Sequence, residues 1–301
     1  MNALGNGRKN LFDLSITIVS YNNKRDIIAC LESLLLYETQ NGLTMQIFVV
    51  NNSQKESCLD LAEKFPVKVL ELKKNRGFGG GHNSVIPFLD SAIHVVLNPD
   101  IIFHEPIFNK LAKHLNENPQ IGACAPLIVD GKGNLQEVYR REITIYDLIC
   151  RYAPFPLCAL PGCQKRRRFH IMRNVDKSAP FECEFIQGSF LVIPTALFKK
   201  LNGFDERFFM YAEDADLCKR IRLMHKTVEC FPECKVVHKW ERASHRSVKL
   251  FRIHAVSLVK YFCKWKFTRG GGNWLVLPHI RISSASYTPR DASPMEWRLA
   301  G

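Results

Sequence analysis

Acidic side chains occur at two places where a polar segment follows an apolar or aromatic one. Asn98-Pro99-Asp100 follows the run Val95-Val96-Leu97, and Glu213-Asp214-Ala215-Asp216 follows the aromatic residues of 208–211. A carboxylate at a strand end can bind Mg²⁺ or Mn²⁺ and so neutralise a diphosphate. A partly buried carboxylate has a raised pKa, which makes it a useful proton acceptor. A turn residue and a helix cap are the structural alternatives, and neither motif is specific alone.

A third candidate is the glycine-rich run Asn75-Arg76-Gly77-Phe78-Gly79-Gly80-Gly81. It does not satisfy G-x-G-x-x-G, because His82 stands at the sixth position counted from Gly77. The sequence also contains no G-x-x-x-x-G-K-[ST], so the phosphate-binding loops of dehydrogenases and P-loop enzymes are not supported. The glycines allow close approach either of a ligand or of another chain segment in a tight strand-to-helix connection.

Three potential metal ligands, Cys230, Cys234 and His238, are spaced four residues apart. They could bind zinc, but no fourth ligand follows at a typical spacing. The alternative is two cysteines packed as small hydrophobic residues beside a histidine with another role. The 11 cysteines are an odd number, and we identify no export signal, so we expect reduced thiols in a cytosolic protein.

The hydrophobic pattern of the first 130 residues predicts the scaffold that positions these side chains. Short β-branched runs alternate with helical patterns, which is typical of a parallel sheet covered by helices. Strands are predicted at 14–19, 46–50, 67–70 and 94–97, and helices at 24–36, 56–64, 84–90 and 105–116. The four strands end in polar or glycine-rich turns at 20–23, 51–53, 75–81 and 98–100. In open α/β sheets ligands bind at the carboxyl ends of strands, so these turns should meet in one crevice.

The second half of the chain is less regular. Residues 121–137 are predicted as strands joined by a turn at 130–133, while 146–180 is rich in Pro, Arg and aromatic residues and has no clear period. Its run Lys165-Arg166-Arg167-Arg168 is either a solvated loop or part of a flap that contacts an anionic acceptor. A helix is predicted over 213–223, followed by short strands at 228–231 and 236–238. A basic amphipathic helix is predicted over 247–267, with one apolar face formed by Val248, Phe251, Ala255, Leu258, Val259 and Phe262.

Composition narrows the class of function. With 46% hydrophobic and 24% charged residues in 301, the chain has globular composition, which excludes disorder, collagen and coiled coil. No apolar run reaches the length of about 18 residues that a spanning helix needs. The net charge of +13 favours an anionic partner: a nucleotide, a nucleic acid or an acidic membrane surface. Nucleic-acid binding is disfavoured because no motif spacing supports it and because it leaves Asp100 and Asp214 unexplained.

Five segments, taken in order, resemble the family 2 glycosyltransferases, which are inverting enzymes of GT-A fold, and most closely their rhamnosyltransferase-like branch. The resemblance covers residues 14–265. It implies an α/β fold with a mixed, mostly parallel central sheet flanked by helices, and a C-terminal helical extension. The implied divisions are a catalytic domain at 12–240, the basic helix at 241–268 and a weakly ordered tail at 269–301. The segments are Ile18-Val19-Ser20-Tyr21-Asn22, Val49-Val50-Asn51-Asn52-Ser53, Asn75-Arg76-Gly77-Phe78-Gly79 with Asn83, Leu97-Asn98-Pro99-Asp100 and Gly203–Cys218.

The resemblance implies roles for individual residues of this sequence. Asp214 would be the general base, while Asp100 and His238 would bind Mg²⁺ or Mn²⁺, with Ser244 near the diphosphate. Asn51 and Asn98 stand where the family commonly has Asp. The Asn51 amide can donate as well as accept a hydrogen bond, so the resemblance does not fix the nucleobase, and Asn98 makes the metal site less charged. An inactive relative is the alternative. The donor, a nucleotide-diphosphate sugar such as dTDP-rhamnose or a UDP-sugar, would contact Ser20, Tyr21, Asn22, Asn51, Asn75, Gly77, Gly79 and Asn98.

The resemblance also implies an acceptor and a location. Many relatives glycosylate glycans carried on polyprenyl diphosphate, so a glycan or a polyprenyl-diphosphate-linked acceptor in cell-surface polysaccharide synthesis is expected. The basic helix at 247–267 either contacts an anionic membrane surface or packs on its own domain. We therefore expect a cytoplasmic protein, peripheral on the inner face of the cytoplasmic membrane, that binds no nucleic acid.

Overall fold

Four parallel strands form one half of the central sheet, as the hydrophobic pattern predicts. The computed structural model describes residues 10–39, 42–239, 248–265 and 297–298. The strands pair in the order β3-β2-β1-β4, and every pairing among them is parallel. Their side chains are buried almost continuously, which is typical of strands covered on both faces. They are β1 Phe12–Ser20, β2 Met45–Asn51, β3 Val67–Glu71 and β4 Ser91–Leu97.

The other half of the sheet is mixed. An antiparallel strand, β10 (Phe190–Pro194), lies between β4 and β6 (Ile121–Val129), and β11 (Thr227–His238) runs parallel to β6. β1 to β4, β6 and β11 therefore all run in one direction. Short strands extend this sheet: β5 (Ile101–Ile102) and β8 (Phe181–Glu182) pair with β11, and β12 (Trp297–Arg298) pairs with β3. A separate two-stranded sheet is formed by β7 (Tyr139–Arg140) and β9 (Phe185–Ile186).

Helices cover both faces of the sheet, and several match the sequence prediction. α1 (Lys24–Glu38) buries Ile27, Leu31 and Leu34 at the predicted spacing. α4 (Phe108–Glu117) lies within three residues of its predicted limits, and α8 (Glu213–Leu223) has the predicted limits. α7 (Thr195–Lys200) follows β10 directly. Within the described ranges, no helix is both long and apolar enough to cross a membrane.

The helices around the glycine run differ from the prediction. The helix predicted over 56–64 shrinks to α2 (Leu61–Lys64), and the one predicted over 84–90 is a 3₁₀ turn at Ile86–Phe88. The glycine run itself, predicted as a turn, forms α3 (Gly77–Asn83). A Cβ atom on Gly79 would lie 2.7 Å from the Phe204 Cβ, so close packing requires glycine here. Tertiary contacts therefore override the low helix propensity of the run.

The aperiodic segment 146–180 contains two helices and is not simply a solvated loop. α5 (Ile145–Tyr152) and α6 (Pro161–His170) are joined through a 3₁₀ turn at Leu157–Ala159, and the basic run 165–168 lies in α6. Thr144 and Asp147 form a reciprocal capping box at the start of α5. Arg166 binds the buried Asp147 carboxylate at 2.6 Å, which joins α6 to α5. We call residues 145–170 the α5–α6 hairpin.

The C-terminal helix packs differently from the prediction. α9 (Val248–Trp265) buries Ser257, Leu258, Tyr261 and Trp265, whereas Val248, Phe251, Ala255 and Val259 of the predicted apolar face are exposed. The strands predicted at 228–231 and 236–238 are one strand, β11, with a register shift between Phe231 and Lys235. Ser244 and most of the predicted tail at 269–301 lie outside the described residues, apart from β12.

Candidate active site

Asp100 and His238 meet because two short strand segments pair. β5 begins immediately after Asp100, and its Ile101 pairs with His238 at the end of β11. The Asp100 Oδ1 atom lies 3.1 Å from His238 Nε2, and their side chains are 23% and 4% exposed. These two residues, more than 130 positions apart in sequence, therefore form one polar pair at the carboxyl end of the sheet.

Gln136 fixes the orientation of the histidine. Its side-chain nitrogen donates to the His238 carbonyl at 2.8 Å, and its side-chain oxygen lies 2.8 Å from His238 Nδ1. With that amide orientation Nδ1 must carry a proton and donate to Gln136. In the neutral imidazole the lone pair of Nε2 then points at Asp100. In that state two electron-pair donors, Asp100 Oδ1 and His238 Nε2, face each other, as they would around a bound cation.

Asp214 lies in the first turn of α8. The chain enters this helix through two residues with positive φ, Tyr211 at 72° and Ala212 at 65°, a conformation that side chains other than glycine rarely adopt. The Asp214 carboxylate accepts hydrogen bonds from Gly188 N at 3.1 Å and Ala215 N at 2.7 Å. Burial raises the pKa of Asp214, while these backbone donors and the charge of Arg140 lower it. The net effect is a raised pKa, as a proton acceptor requires.

Two consecutive residues join Asp214 to the metal-ligand candidates. Gly188 donates its N–H to Asp214, and the carbonyl of Ser189 accepts a hydrogen bond from Asn98 N at 2.9 Å. Both residues immediately precede β10, whose first residue, Phe190, pairs with Leu97, the residue before Asn98. Asp214 and the segment Asn98-Pro99-Asp100 are therefore linked through two adjacent residues, and their shared role in one site stays a prediction.

The other two acids of α8 have structural environments. Asp216 is fully buried and binds Arg220 at 2.8 Å and Lys264 at 2.5 Å, and it accepts a hydrogen bond from Trp265 Nε1 at 3.0 Å. It therefore anchors α9 on α8. Glu213 is also buried, and burial, together with the charge of Asp214, raises its pKa to about 8. The raised pKa favours the protonated form of Glu213, while the backbone donors of Asp214 favour a charge on Asp214.

The residues predicted to bind the nucleotide lie at the ends of β1 and β2. The Ser20 hydroxyl donates to Asn23 Oδ1 at 3.0 Å, and the Ser53 hydroxyl donates to Asn22 Oδ1 at 2.5 Å. Asn22 has a φ of 59°, and Tyr21 is 55% exposed. The two strand ends are thus cross-linked by their own side chains.

Asn51 is buried, and its amide already has partners. Its Nδ2 donates to Glu71 Oε2 at 2.9 Å and to the Glu56 carbonyl at 2.5 Å, while its Oδ1 accepts from Ser53 N at 3.0 Å. An amide oxygen has two lone pairs, so Oδ1 could accept one further hydrogen bond. Contact with a pyrimidine edge stays a prediction, and Asn51 also supports the loop that carries Ser53.

Gly77 and Gly79 are buried in α3. The glycine-rich turn that the sequence predicts at 75–81, beside the donor, is therefore largely a helix. Gly77 has a φ of 74°, and a Cβ atom there would lie 1.9 Å from the Phe209 carbonyl oxygen. Asn75 accepts a hydrogen bond from Gly77 N at 2.8 Å. Asn83 exchanges two hydrogen bonds with the backbone of Phe204, at 2.8 and 2.9 Å. The glycine motif therefore braces the segment 203–209 that leads to Asp214.

Sequence reasoning missed Gln136 and Arg140. Both lie between β6 and α5: Gln136 falls in the predicted strands of 121–137, and Arg140 lies beyond them. Gln136 contacts His238 of β11, 102 positions further along the chain, and the charge of Arg140 acts on Asp214 of α8, 74 positions further along. No local pattern marks such residues.

The cysteines of the possible zinc motif are buried away from solvent. The Cys234 thiol lies 3.7 Å from the Ile107 carbonyl, and burial raises the pKa of Cys230 to about 12. Within the described ranges, no three His, Cys, Asp or Glu side chains are grouped so that they could hold a metal ion. All 11 cysteines are free thiols.

Comparison with known proteins places most of the chain in one family. Residues 15–190 match the family described as glycosyl transferase family 2, and residues 168–246 match the N-terminal domain of galactosyltransferase. The first match includes Asp100, and the second includes Asp214 and His238.

Curated relatives align over much of the chain. The low-salt glycan biosynthesis hexosyltransferase Agl10 of Haloferax volcanii is 26% identical over 75% of this chain and 66% of its own length. Rhamnosyltransferase WbbL of Escherichia coli is 24% identical over 62% and 70%. The N-acetylglucosaminyl-diphospho-decaprenol L-rhamnosyltransferase of Mycobacterium tuberculosis is 24% identical over 64% and 66%. The chain thus spans about two thirds of the length of these relatives.

Solved structures show the fold. GalNAc-T7, solved with UDP, GalNAc and Mn²⁺, superposes with a TM-score of 0.62 at 16% identity, over 85% of this chain and 48% of that one. The mannosyltransferase PcManGT of Pyrobaculum calidifontis, solved with GDP-Man and Mn²⁺, gives 0.56 at 16% identity, over 87% and 65%. With a family match over more than half of its residues, this chain belongs to the family 2 glycosyltransferases and has the GT-A fold.

Proposed function

We propose that the protein is an inverting glycosyltransferase that moves a sugar from a nucleotide-diphosphate donor to a hydroxyl group of a glycan or lipid-linked glycan. One observation carries this proposal: the adjacent residues Gly188 and Ser189 bind Asp214 and the segment of Asp100, respectively. The proposed proton acceptor, Asp214, is therefore held near the Asp100–His238 pair. A proton acceptor beside a site for a charged leaving group is the minimal machinery for such a transfer.

In the proposed transfer the acceptor hydroxyl oxygen attacks the anomeric carbon from the face opposite the nucleotide. The new bond joins that oxygen to the anomeric carbon, and the bond between the anomeric carbon and the diphosphate oxygen breaks. The nucleoside diphosphate leaves with the bonding electrons, and Asp214 takes the hydroxyl proton. Attack from the opposite face inverts the anomeric configuration.

Asp100 and His238 fit a divalent cation by their chemistry. Among the described residues, none donates a hydrogen bond to Asp100 Oδ1, and this buried atom lies 3.1 Å from His238 Nε2. We propose that these two residues hold Mg²⁺ or Mn²⁺ and leave the other coordination positions to the diphosphate and water. The ion, when bound, supplies positive charge that stabilises the departing diphosphate. Asn98 is neutral where the family commonly has Asp. The site therefore carries less negative charge than an Asp-containing site and should bind a cation more weakly.

The donor site is proposed at the carboxyl ends of β1 and β2. Ser20, Tyr21, Asn22 and Asn51 would contact the nucleoside, and Asn75 and α3 would border the diphosphate side. Two of the relatives described above are named rhamnosyltransferases, which favours dTDP-rhamnose as donor; UDP-sugars are the alternative.

The acceptor and location are also proposals. One relative acts on a sugar carried by diphospho-decaprenol, as its name states, which supports a polyprenyl-diphosphate-linked acceptor in polysaccharide synthesis. The free state of all 11 cysteines supports a reducing, cytoplasmic location. A peripheral position on the inner face of the membrane, through the basic α9, completes the proposal.

Calorimetric titration with UDP, dTDP and GDP, each with and without Mn²⁺, tests the donor site. We expect one pyrimidine diphosphate to bind in a metal-dependent manner, and Asp100→Ala to lose that dependence. Asp176→Ala, which changes an exposed aspartate outside the site, is the matched control. Failure of all three nucleotides to bind would overturn the proposal.

A transfer assay distinguishes the active enzyme from an inactive sugar-nucleotide-binding relative. Asp214→Asn should reduce turnover by about 10³-fold or more, because the base is lost, while nucleotide binding stays nearly unchanged. Normal turnover in Asp214→Asn would refute the assignment of the base. Nucleotide binding without turnover in the unsubstituted protein, with each candidate donor and a lipid-linked acceptor, would support the inactive relative.

A further inference from the structure

Large exposed apolar side chains are concentrated in two elements. Twelve of the eighteen such residues in the described part of the chain lie in the α5–α6 hairpin or in α9. On the hairpin Phe155 is 84% exposed and Ile149 57%, and on α9 Val259 is 62% and Phe251 55% exposed. Apolar residues on monomer surfaces are normally scattered, so a concentration of this kind marks an interaction surface.

The two elements form one continuous surface. The rings of Tyr152 in α5 and Phe251 in α9 are in edge contact, with centroids 6.2 Å apart. The Tyr152 hydroxyl lies 3.4 Å from His254 Nδ1. The opposite face of α9 is buried against the domain through Leu258, Tyr261 and Trp265. The face that carries Phe251 and Val259 is therefore turned towards solvent. We call the exposed side chains of the hairpin and α9 the apolar-basic surface.

This surface carries a strong positive charge. The hairpin and α9 contain nine Lys and Arg residues and one acidic residue, Asp147, which is buried and paired with Arg166. Exposed cations such as Lys165, Arg168 and Arg252 therefore have no acidic neighbour within these two elements. The occupant must be both apolar and anionic. A second copy of this chain would carry the same positive charge and be repelled.

The apolar-basic surface lies beside the catalytic segment. The Ser257 hydroxyl donates to the Met210 carbonyl at 2.8 Å, and the His254 ring packs on Tyr211 with centroids 4.8 Å apart. Met210 and Tyr211 precede Asp214 by only a few residues. Whatever the surface docks on is therefore brought close to the segment that leads to Asp214.

We propose that the apolar-basic surface docks on an anionic lipid bilayer and presents the crevice to an acceptor whose hydrocarbon anchor stays in the membrane. Ile149, Phe155, Leu157 and Phe251 enter the interface between headgroups and acyl chains, and the surrounding Lys and Arg residues bind anionic headgroups. This inference rests on the proposed transferase function for the nature of the acceptor, but membrane docking itself is measurable without turnover.

Vesicle sedimentation of the full chain tests the proposal. Vesicles of phosphatidylcholine alone are compared with vesicles that contain about 30 mol% phosphatidylglycerol, at low and high salt. We expect binding only with phosphatidylglycerol, and a fall in binding as salt shortens the Debye length from about 10 Å to about 3 Å. Phe155→Ser/Leu157→Ser should reduce partitioning about tenfold or more, because two apolar anchors are lost.

A matched double variant controls for the loss of apolar residues in general. Leu36 and Leu223, which are 62% and 51% exposed, lie outside both elements, and Leu36→Ser/Leu223→Ser should bind vesicles like the unsubstituted chain. Equal losses in the two double variants, binding that ignores phosphatidylglycerol and salt, or no binding at all would overturn the proposal. Binding of UDP or dTDP with Mn²⁺ is measured on the same preparations. Loss of vesicle binding with intact nucleotide binding would refute docking alone, whereas the reverse result would refute the proposed transferase.

Discussion

At the level of single residues, Glu213 and Asp214 are neighbouring acids with different environments. Asp214 receives two backbone hydrogen bonds, whereas Glu213 is buried and no described residue bonds its Oε2 atom. Hydrogen-bond donors stabilise a carboxylate and burial destabilises it, so one negative charge is held preferentially on Asp214. Asp214, the proposed base, thus has a neighbour whose protonated form reduces charge repulsion between the two side chains.

Replacing Glu213 by glutamine should flatten the dependence of stability on pH. The ordinary pKa of this carboxyl is 4.5, and burial raises it to about 8 in the folded state. The folded state therefore keeps a proton that the unfolded state loses between these values, so stability is complete below the lower pKa and is lost as pH rises through the higher one. Glu213→Gln stays neutral and should exceed the original protein in free energy of unfolding by about 5 kcal/mol near pH 9, with little difference near pH 4.

Urea unfolding at a series of pH values measures this difference. Glu32→Gln, a change at an exposed glutamate of α1, is the control and should shift stability equally at every pH. A Glu213→Gln curve parallel to that of the unsubstituted protein would contradict the raised pKa.

At the residue scale, motifs predict the acids but not their supporting partners. The roles of Asp100, Asp214 and His238 follow from the resemblance of short segments to a known family, and they stay predictions. Gln136 and Arg140 could not be identified in this way, since Gln136 acts on a strand about 100 residues away and Arg140 on a helix 74 residues away. Such roles follow only from the three-dimensional pairing of distant elements.

At the level of elements, α3 connects the end of β2, where nucleotide contacts are proposed, to the segment 203–209 that leads to Asp214. Asn52 binds the start of α3 through the Gly77 carbonyl at 2.7 Å and Arg76 N at 2.8 Å, and Phe78 N donates to the Phe209 carbonyl at 3.0 Å. These contacts join the glycine motif to the Gly203–Cys218 motif, so the conformation of α3 and that of the segment before Asp214 support each other.

Gly77→Ala should disrupt this connection. Alanine at a φ of 74° is strained, and its Cβ would overlap the Phe209 carbonyl oxygen at 1.9 Å. We expect a loss of about 3 kcal/mol or more in the free energy of unfolding. Gly131→Ala, where no atom lies within 4 Å of the added Cβ, is the matched control and should change stability by less than about 0.5 kcal/mol. Equal effects in denaturant unfolding would show that α3 does not pack closely on Phe209.

The elements that could be predicted are those whose own sequence is amphipathic. α8 was predicted at both ends because its first turn is acidic and its apolar residues have helical spacing. α3 was missed because four of its seven residues are glycine, and its helix depends on contacts with Phe204 and Phe209. The α5–α6 hairpin was missed because its apolar side chains face outward and so show no core-facing period.

At the level of the whole molecule, the candidate site spans both halves of the sheet. β1 and β2 carry the proposed nucleoside contacts, while β5 and β11 carry the proposed metal ligands, and β4, β10 and β6 lie between them. A donor bound across the crevice would contact both halves at once. Its binding energy would then add to the stability of the entire fold, because the unfolded chain has no such site.

Ligand and metal removal tests this linkage. A nucleoside diphosphate with Mn²⁺ at about 100 times its Kd should stabilise the fold by about 2.7 kcal/mol, which corresponds to a rise of about 5 °C in Tm. EDTA should abolish most of that rise. Without a cation between them, the negative charges of Asp100 and the diphosphate repel each other, and His238 alone binds the diphosphate poorly. Thermal unfolding with nucleotide, with nucleotide and Mn²⁺, and with nucleotide and EDTA separates the contributions. A rise in Tm that persists in EDTA would mean that donor binding depends on the residues of β1, β2 and α3 rather than on a metal at Asp100 and His238.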